Sequence, residues 1–245
     1  MSAQPVSVSH PVPALRLLGP VQVTGARGPR PDAAGRATEL VAFLALHPWA
    51  TCEPLDAALW PYQRVTDMKR NGPVCAARRW LGEATDGHPY VCYVSEGGYA
   101  LAPEVRTDWQ DFQSLVPEVS VVGHVPTEQL RAALRLVTGP PLSGVNAARY
   151  AWAELDRATM VEAVAVTAGT LGQRAARAGD HRTASWAAAV GLTADPADER
   201  LWRQALRAAR ATGDVERLRQ VRARARVVLD TLGTLDPRTE ALLRP

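Results

Sequence analysis

The sequence predicts a mostly α-helical chain with a small β component, in two successive parts. Three observations lead there. From Asp108 onward the character is helical throughout, while the strand-like runs are read within the first hundred residues. Gly and Pro punctuate the ends of the periodic runs. Toward the end of the chain, Gly-Asp pairs recur at a period of about 34 residues, which suits stacked helix–turn–helix units.

The elements follow in order. Residues 1–13 are rich in Ser and Pro and read as a disordered lead. Leu15–Val23 is strand-like. Gly19-Pro20 in its middle argues for an edge strand or a bulge, because proline cannot donate to a ladder. From Arg36, Leu40, Phe43, Leu44 and His47 recur at helical spacing, and Pro48 ends that helix. EPLDAALWP at 53–61 is a second short helix with proline in its first turn and just beyond its end. Pro73 would lose a hydrogen bond inside a helix, so a third helix is expected from Pro73 to Leu81, with Gly82 as its C-cap. Two runs rich in Val and Tyr then flank Ser95–Gly98 and predict a β-hairpin with a four-residue turn. Strand, three helices and hairpin, over residues 14–107, form the pattern of a winged helix-turn-helix domain.

Residues 108–245 read as a helical domain. Asp108 is placed to cap WQDFQSLV, with Asp111 three positions on. Residues 117–127 read as a linker, EQLRAALRLV as a helix, TGPPLSG as a break and 152–178 as a long helical stretch. Gly179-Asp180 and Gly213-Asp214 each end one helix and cap the next. Asp195-Pro196 and Asp236-Pro237 each open the following pair. Their separation exceeds the Gly-Asp period, so the second helix of the second unit is expected to be about two turns longer. The Gly-Asp period is that of tetratricopeptide repeats. The seven tryptophans divide over both parts, and Trp152, Trp186 and Trp202 are expected at repeat-packing positions.

Composition excludes several function classes. Hydrophobic residues make up 47% and charged residues 22%, an ordinary globular balance. No apolar run approaches the ~18 residues of a membrane span, and the N-terminus lacks the pattern of a signal peptide. Cys52, Cys75 and Cys92 are odd in number and widely spaced, which fits neither a disulfide framework nor a zinc site. The histidines are scattered, and no nucleophile elbow, phosphate loop or dinucleotide fingerprint is present. No enzyme activity, metal or cofactor is therefore expected, and reduced thiols suit a cytoplasmic setting.

Charge is more informative by position. Net charge is only +3. Yet Arg64, Lys69, Arg70, Arg78 and Arg79 cluster in one short segment, opposed only by Asp67. Lys69 is the single lysine. Between 200 and 226 there are nine arginines against Asp214 and Glu216. Arg200, Arg203, Arg207 and Arg210 share one helix face, with Trp202, Leu206 and Ala209 on a neighbouring apolar face and Leu218, Val221, Ala225 and Val228 as the stripe of the next helix.

LRLLGPVQV, the helix ending LHP, ALWP, RRWLG, GGYAL and DWQDF, taken in that order, resemble the winged-helix half of the actinobacterial antibiotic-regulatory activators. GPPL, YAWAEL, ADPADERLWRQALRAARATGD and LGTLDPRTEALL are similar to their bacterial transcriptional activation domain. The resemblance implies a transcription regulator that binds promoter DNA at direct repeats and recruits RNA polymerase. It also implies a third helix in the major groove. On that basis Arg64, Lys69, Arg70, Asn71, Arg78 and Arg79 are the candidate DNA contacts, and Arg200, Arg203, Arg207 and Arg210 the candidate partner contacts. A dimer is among the arrangements left open. Gly72-Pro73 sits where base-reading residues belong, and Val74, Cys75, Ala76 and Ala77 carry few donors. The wing tip holds Glu96 and no basic residue. These departures keep an alternative open: a non-DNA-binding interaction module with an unidentified protein partner. It would be similar to the cytoplasmic C-terminal parts of larger LysM-type membrane proteins.

Overall fold

The computed structural model describes residues 11–32, 35–95, 97–231 and 233–244. Most of the expected disordered lead, and Glu96 at the hairpin tip, lie outside them. By packing, the chain divides into two units. The first comprises the residues up to Leu17, Val21–Asp108 and Gly144–Asp156, and the second Leu18–Pro20, Trp109–Ser143 and the remainder from Arg157.

The first unit contains strands β1 (Ala14–Arg16) and β2 (Gln22–Thr24), helices α1 (Ala37–Leu46), α2 (Cys52–Leu59) and α3 (Asp67–Leu81), and strands β3 (Val91–Val94), β4 (Gly98–Leu101) and β5 (Arg106–Thr107). The strand expected over Leu15–Val23 is a hairpin instead. β1 and β2 pair antiparallel, with Leu15 opposite Val23. Gly19 and Pro20 fall between the two strands, where the missing proline N–H costs no ladder bond. β5, too short for a periodicity signal, pairs parallel to β1. Leu17, Leu40, Leu55, Leu59, Leu81 and Val91 are fully buried and form the core.

α3 departs from expectation. It begins at Asp67, six residues before Pro73, and carries the proline inside. The first turn is held from outside the helix ladder. Thr66 Oγ1 accepts from Lys69 N at 3.4 Å, and the Arg70 guanidinium binds both Asp56 and Asp67. Pro73 forfeits one bond, to the carbonyl of Lys69, and Lys69 is solvent-exposed. At the other end, Gly82 N donates to Arg78 O at 2.8 Å, as the C-cap reading requires.

β3 and β4 pair from Val91–Leu101 to Val94–Gly98. The connecting loop is therefore one residue shorter than expected, since Gly98 joins the ladder. This hairpin is pinned to the α1–α2 connection: Tyr99 N donates to Ala50 O and Cys52 N to Gly97 O, each at 3.2 Å. A Cβ on Gly98 would collide with Ala50 O.

Residues 144–156 complete this unit. Trp152 meets Phe43 of α1 edge-on at 5.1 Å and stacks with Tyr150. Trp152 is thus no repeat-packing residue. Glu39, only 1% exposed, bonds Arg36 through both carboxylate oxygens and Arg149 at 3.0 Å. Burial pushes the Glu39 carboxyl up, against the pull of Arg36 and Arg149.

The second unit is helical: α4 (Asp108–Leu115), a 3-10 turn at Val119–His124 where a linker was expected, α5 (Thr127–Arg135), α6 (Glu154–Arg177), α7 (His181–Ala194), α8 (Glu199–Ala211), α9 (Val215–Leu229) and α10 (Pro237–Leu243). α4 and α6 each start within the first unit. Asp108 lies in the first turn of α4, and its Oδ1 accepts from Leu17 N at 2.7 Å. The Gly-Asp reading holds. Gly179 and Gly213 adopt φ of 76° and 72°, a region that favours glycine, while Asp180 and Asp214 cap α7 and α9. The Asp-Pro reading holds for Asp236-Pro237, which opens α10. It fails at Asp195-Pro196, because Asp198 caps α8 and Pro196 O accepts from Trp202 Nε1 at 2.8 Å. Nor is α9 two turns longer: it has 15 residues against 14 for α7. The extra length lies in the connection 230–236.

α6, α7 and α8 approach closely through small residues. A Cβ on Gly191 would lie 2.6 Å from Leu201 Cδ1 and 2.7 Å from Ala168 Cβ. Trp202, Leu206 and Ala209 are buried as expected. On α9 only Ala225 and Leu229 are fully covered, and Leu218, Val221 and Val228 are half-buried.

Candidate nucleic-acid interface and arginine cleft

α3 is positioned by two arginines that the sequence places among the DNA contacts. Arg70 Nε and Nη2 grip the two oxygens of Asp56 at 2.8 and 2.5 Å, and Nη1 reaches Asp67 Oδ1 at 2.6 Å. The Asp56 bonds, then those to Asp67, hold its guanidinium protonated well above the ordinary arginine value, against burial. Its side chain is 9% exposed. Arg70 is therefore a strut that locks α3 to α2, and it leaves the set of candidate contacts. Arg78 Nε donates to Val91 O at 2.9 Å and ties α3 to β3. Lys69 Nζ reaches Gln63 Oε1 at 2.5 Å and lies 5.8 Å from the Trp60 ring centroid.

Four of the six candidates, Arg64, Lys69, Asn71 and Arg79, are exposed. Asn71, Cys75 and Arg79 stand four residues apart and share a face, flanked by Met68 and Gly72. Arg79 Nε makes only a long bond, 3.5 Å, to Cys75 O. The face thus offers two hydrogen-bonding side chains of the kind that read base edges, and little else. On the neighbouring hairpin, Tyr93 is exposed and meets Tyr99 edge-on at 5.8 Å.

Burial pushes the Cys52 and Cys92 thiols up, away from the thiolate form that reacts. Among the described residues, no three His, Cys, Asp or Glu side chains are grouped to hold a metal, and no helix is long and apolar enough to cross a membrane.

The second unit carries an arginine-lined cleft of about 490 Å³. Arg200, Arg203 and Arg207 enter it from one face of α8, and Arg238 from α10. Arg210 lies outside it. Arg203 is committed to its own fold, with Thr239 Oγ1 at 2.8 Å, Asp236 at 3.3 Å and Glu199 at 3.7 Å. Arg200 pairs with Asp198 at 2.9 Å. Arg238 was missed by sequence reasoning, because it belongs to a different helix, far along the chain from Arg200, and no local pattern joins them.

The repeat period, the caps and the tight α6–α8 packing describe one kind of module. Residues 124–242 match the bacterial transcriptional activator domain. The activator-domain match runs from the 3-10 turn before α5 into α10 and includes the whole arginine cleft. No curated protein matches the chain. A solved structure of Mycobacterium tuberculosis EmbR, in complex with a low-affinity phosphopeptide, superposes over 95% of this chain with a TM-score of 0.62 and 22% identity. The present chain spans 64% of that structure's length. The likeness establishes a shared fold, mostly helical with a few strands.

Proposed function

We propose that the chain is a transcriptional regulator in which residues 14–107 form a winged helix-turn-helix domain that contacts promoter DNA, while the activator domain contacts protein partners, RNA polymerase among them. The observation that carries this is α3. It is a surface helix braced on its inner side by Arg70 and Arg78, with Asn71 and Arg79 presented outward and Arg64 and Lys69 close to its start. Asn and Arg are the side chains that read adenine and guanine edges in the major groove, and arginines beside them neutralise phosphates. Binding at direct repeats, a dimeric arrangement and a cytoplasmic setting go with this reading.

Anisotropy of a promoter duplex tests it. The double variant Asn71→Ala/Arg79→Ala should weaken sequence-specific binding by about 1–3 kcal/mol for each base edge no longer read. Absence of binding at about 50 mM salt, or indifference to the double variant, overturns the proposal.

A second reading has its own support. The outward face of α3 includes Met68 at 86% exposure, and Tyr62 just before it is fully exposed. Such side chains suit a protein partner more than a phosphate backbone. On this reading the same fold is an interaction module, and the chain shows no salt-dependent DNA binding.

A further inference from the structure

We propose that the arginine cleft of α6, α8 and α10 is the docking site for an acidic peptide segment of a partner protein. The inference deepens the partner-binding half of the proposed function by assigning it a location and a ligand chemistry, and it rests on that half.

Four guanidinium groups and His181 line the cleft, and no carboxylate is among its lining residues. A neighbouring hollow with Arg131, Arg135 and Arg182 has Asp180 in its wall and lacks that property. Within the cleft the cations play two roles. Arg200 and Arg203 already hold carboxylates of the fold, which fixes their side chains in place. The Arg207 and Arg238 guanidinium groups meet no carboxylate among the described residues, and both side chains are exposed. They enter from different helices, so an anionic strand lying between them meets a positive group on either side. Guanidinium forks match carboxylates in pairs.

The lining argues for a peptide. It includes Gly172, Ala176, Ala208 and Ala211, with the Gln204 amide packed against Gly172, and no aromatic ring other than the His181 imidazole. A nucleotide or a single nucleic-acid strand would find no Phe, Tyr or Trp as a stacking platform. The small side chains leave room for a polypeptide backbone, and Gln173 supplies an amide for it.

The test uses the full chain and a fluorescein-labelled hexaglutamate peptide at about 50 mM salt, followed by anisotropy, with hexaglutamine as the control. Wild type should bind hexaglutamate and not hexaglutamine. Arg207→Glu/Arg238→Glu should weaken binding about tenfold or more. Arg219→Glu/Arg224→Glu makes the same change in net charge on exposed α9 residues outside the cleft and should weaken it less than about threefold. Arg207→Gln/Arg238→Gln, which adds no negative charge, guards against a folding defect and should lie between. Equal losses in the cleft and α9 variants, or no binding by wild type, overturn the proposal. So does a duplex DNA whose binding falls in the cleft variant while hexaglutamate binding does not. Asn71→Ala/Arg79→Ala should leave peptide binding unchanged, so failure of the DNA reading and failure of this one are read separately.

Discussion

Glu39 is a carboxylate inside an apolar helix, and its setting decides what its removal does. Both of its oxygens are held by arginines, and the residue is 1% exposed. Glu39→Ala leaves Arg36 and Arg149 facing a buried space without a counter-charge, which costs about 3 kcal/mol and should appear as a lower urea midpoint with an unchanged slope. Asp198 gives the pH counterpart. Burial works against its charge, but bonds from Arg200 and from the Arg200 and Leu201 N–H groups hold it below its ordinary value of 3.8. A carboxylate depressed in the folded state stabilises the fold above its ordinary value and loses that contribution as pH falls through its folded value. Stability should therefore decline below pH 3.8, and Asp198→Asn, which keeps a capping oxygen, should flatten that decline in acid-unfolding curves. Asp198→Ala should in addition lose about 1 kcal/mol at neutral pH. Of these two residues, only the cap was open to sequence reasoning. A cap bonds two or three residues along the chain, whereas Glu39 meets Arg149 across 110 positions. The same distance problem concealed Arg70. Its partner Asp56 lies 14 residues back on another helix, so local spacing presents a free cation where the fold has a brace.

At the scale of elements, α3 is the instructive case. Propensity places its start at Pro73, but Thr66 and the Arg70 pairs supply a first turn that local rules do not count. Gly72 is exposed with nothing within 4 Å of an added Cβ. Gly72→Ala should thus stabilise the protein by about 1 kcal/mol, measured as a rise in thermal midpoint. Pro73→Ala, which restores a donor for the Lys69 carbonyl, should also stabilise. The repeats of the second unit were far more legible. Their helices are capped by Asp180, Asp198, Asp214 and Asp236, all local signals. What the spacing misplaced was the start of α8, given to Asp195-Pro196 where Asp198 is the cap, and a length: the extra residues before Asp236 form a connection, and a period alone does not say whether added residues prolong a helix or a loop.

For the whole molecule, charge placement matters more than charge sum. A net +3 conceals arginines with different duties. Arg222 and Arg226 donate to the carbonyls of Leu242 and Leu243 and so hold the C-terminal turn of α10, where cations also suit the helix dipole. Arg64, Lys69 and Arg79 remain on the surface of the first unit. Neutralising these three should reduce the slope of log affinity against log salt for DNA by about 0.9 for each phosphate no longer neutralised, and a slope that does not move would remove them from the interface. Periodicity changes near residue 108, where β5 gives way to α4. The membership of 144–156 was not legible, since that segment carries no pattern of its own and is recognised only by what it covers.

That late segment bears on how the protein is made. Arg149 and Trp152 seal the α1 face of the first unit, yet Arg149 is synthesised 110 positions after Glu39. At about 5–20 residues per second, the nascent chain spends several seconds with the helices and hairpin of residues 14–107 already extruded but Glu39 missing one of its two cations and Phe43 uncovered. The first unit therefore cannot mature as an independent early product. It matures only after part of the second has been threaded out, and a ribosome stalled before residue 149 would hold an unfinished fold.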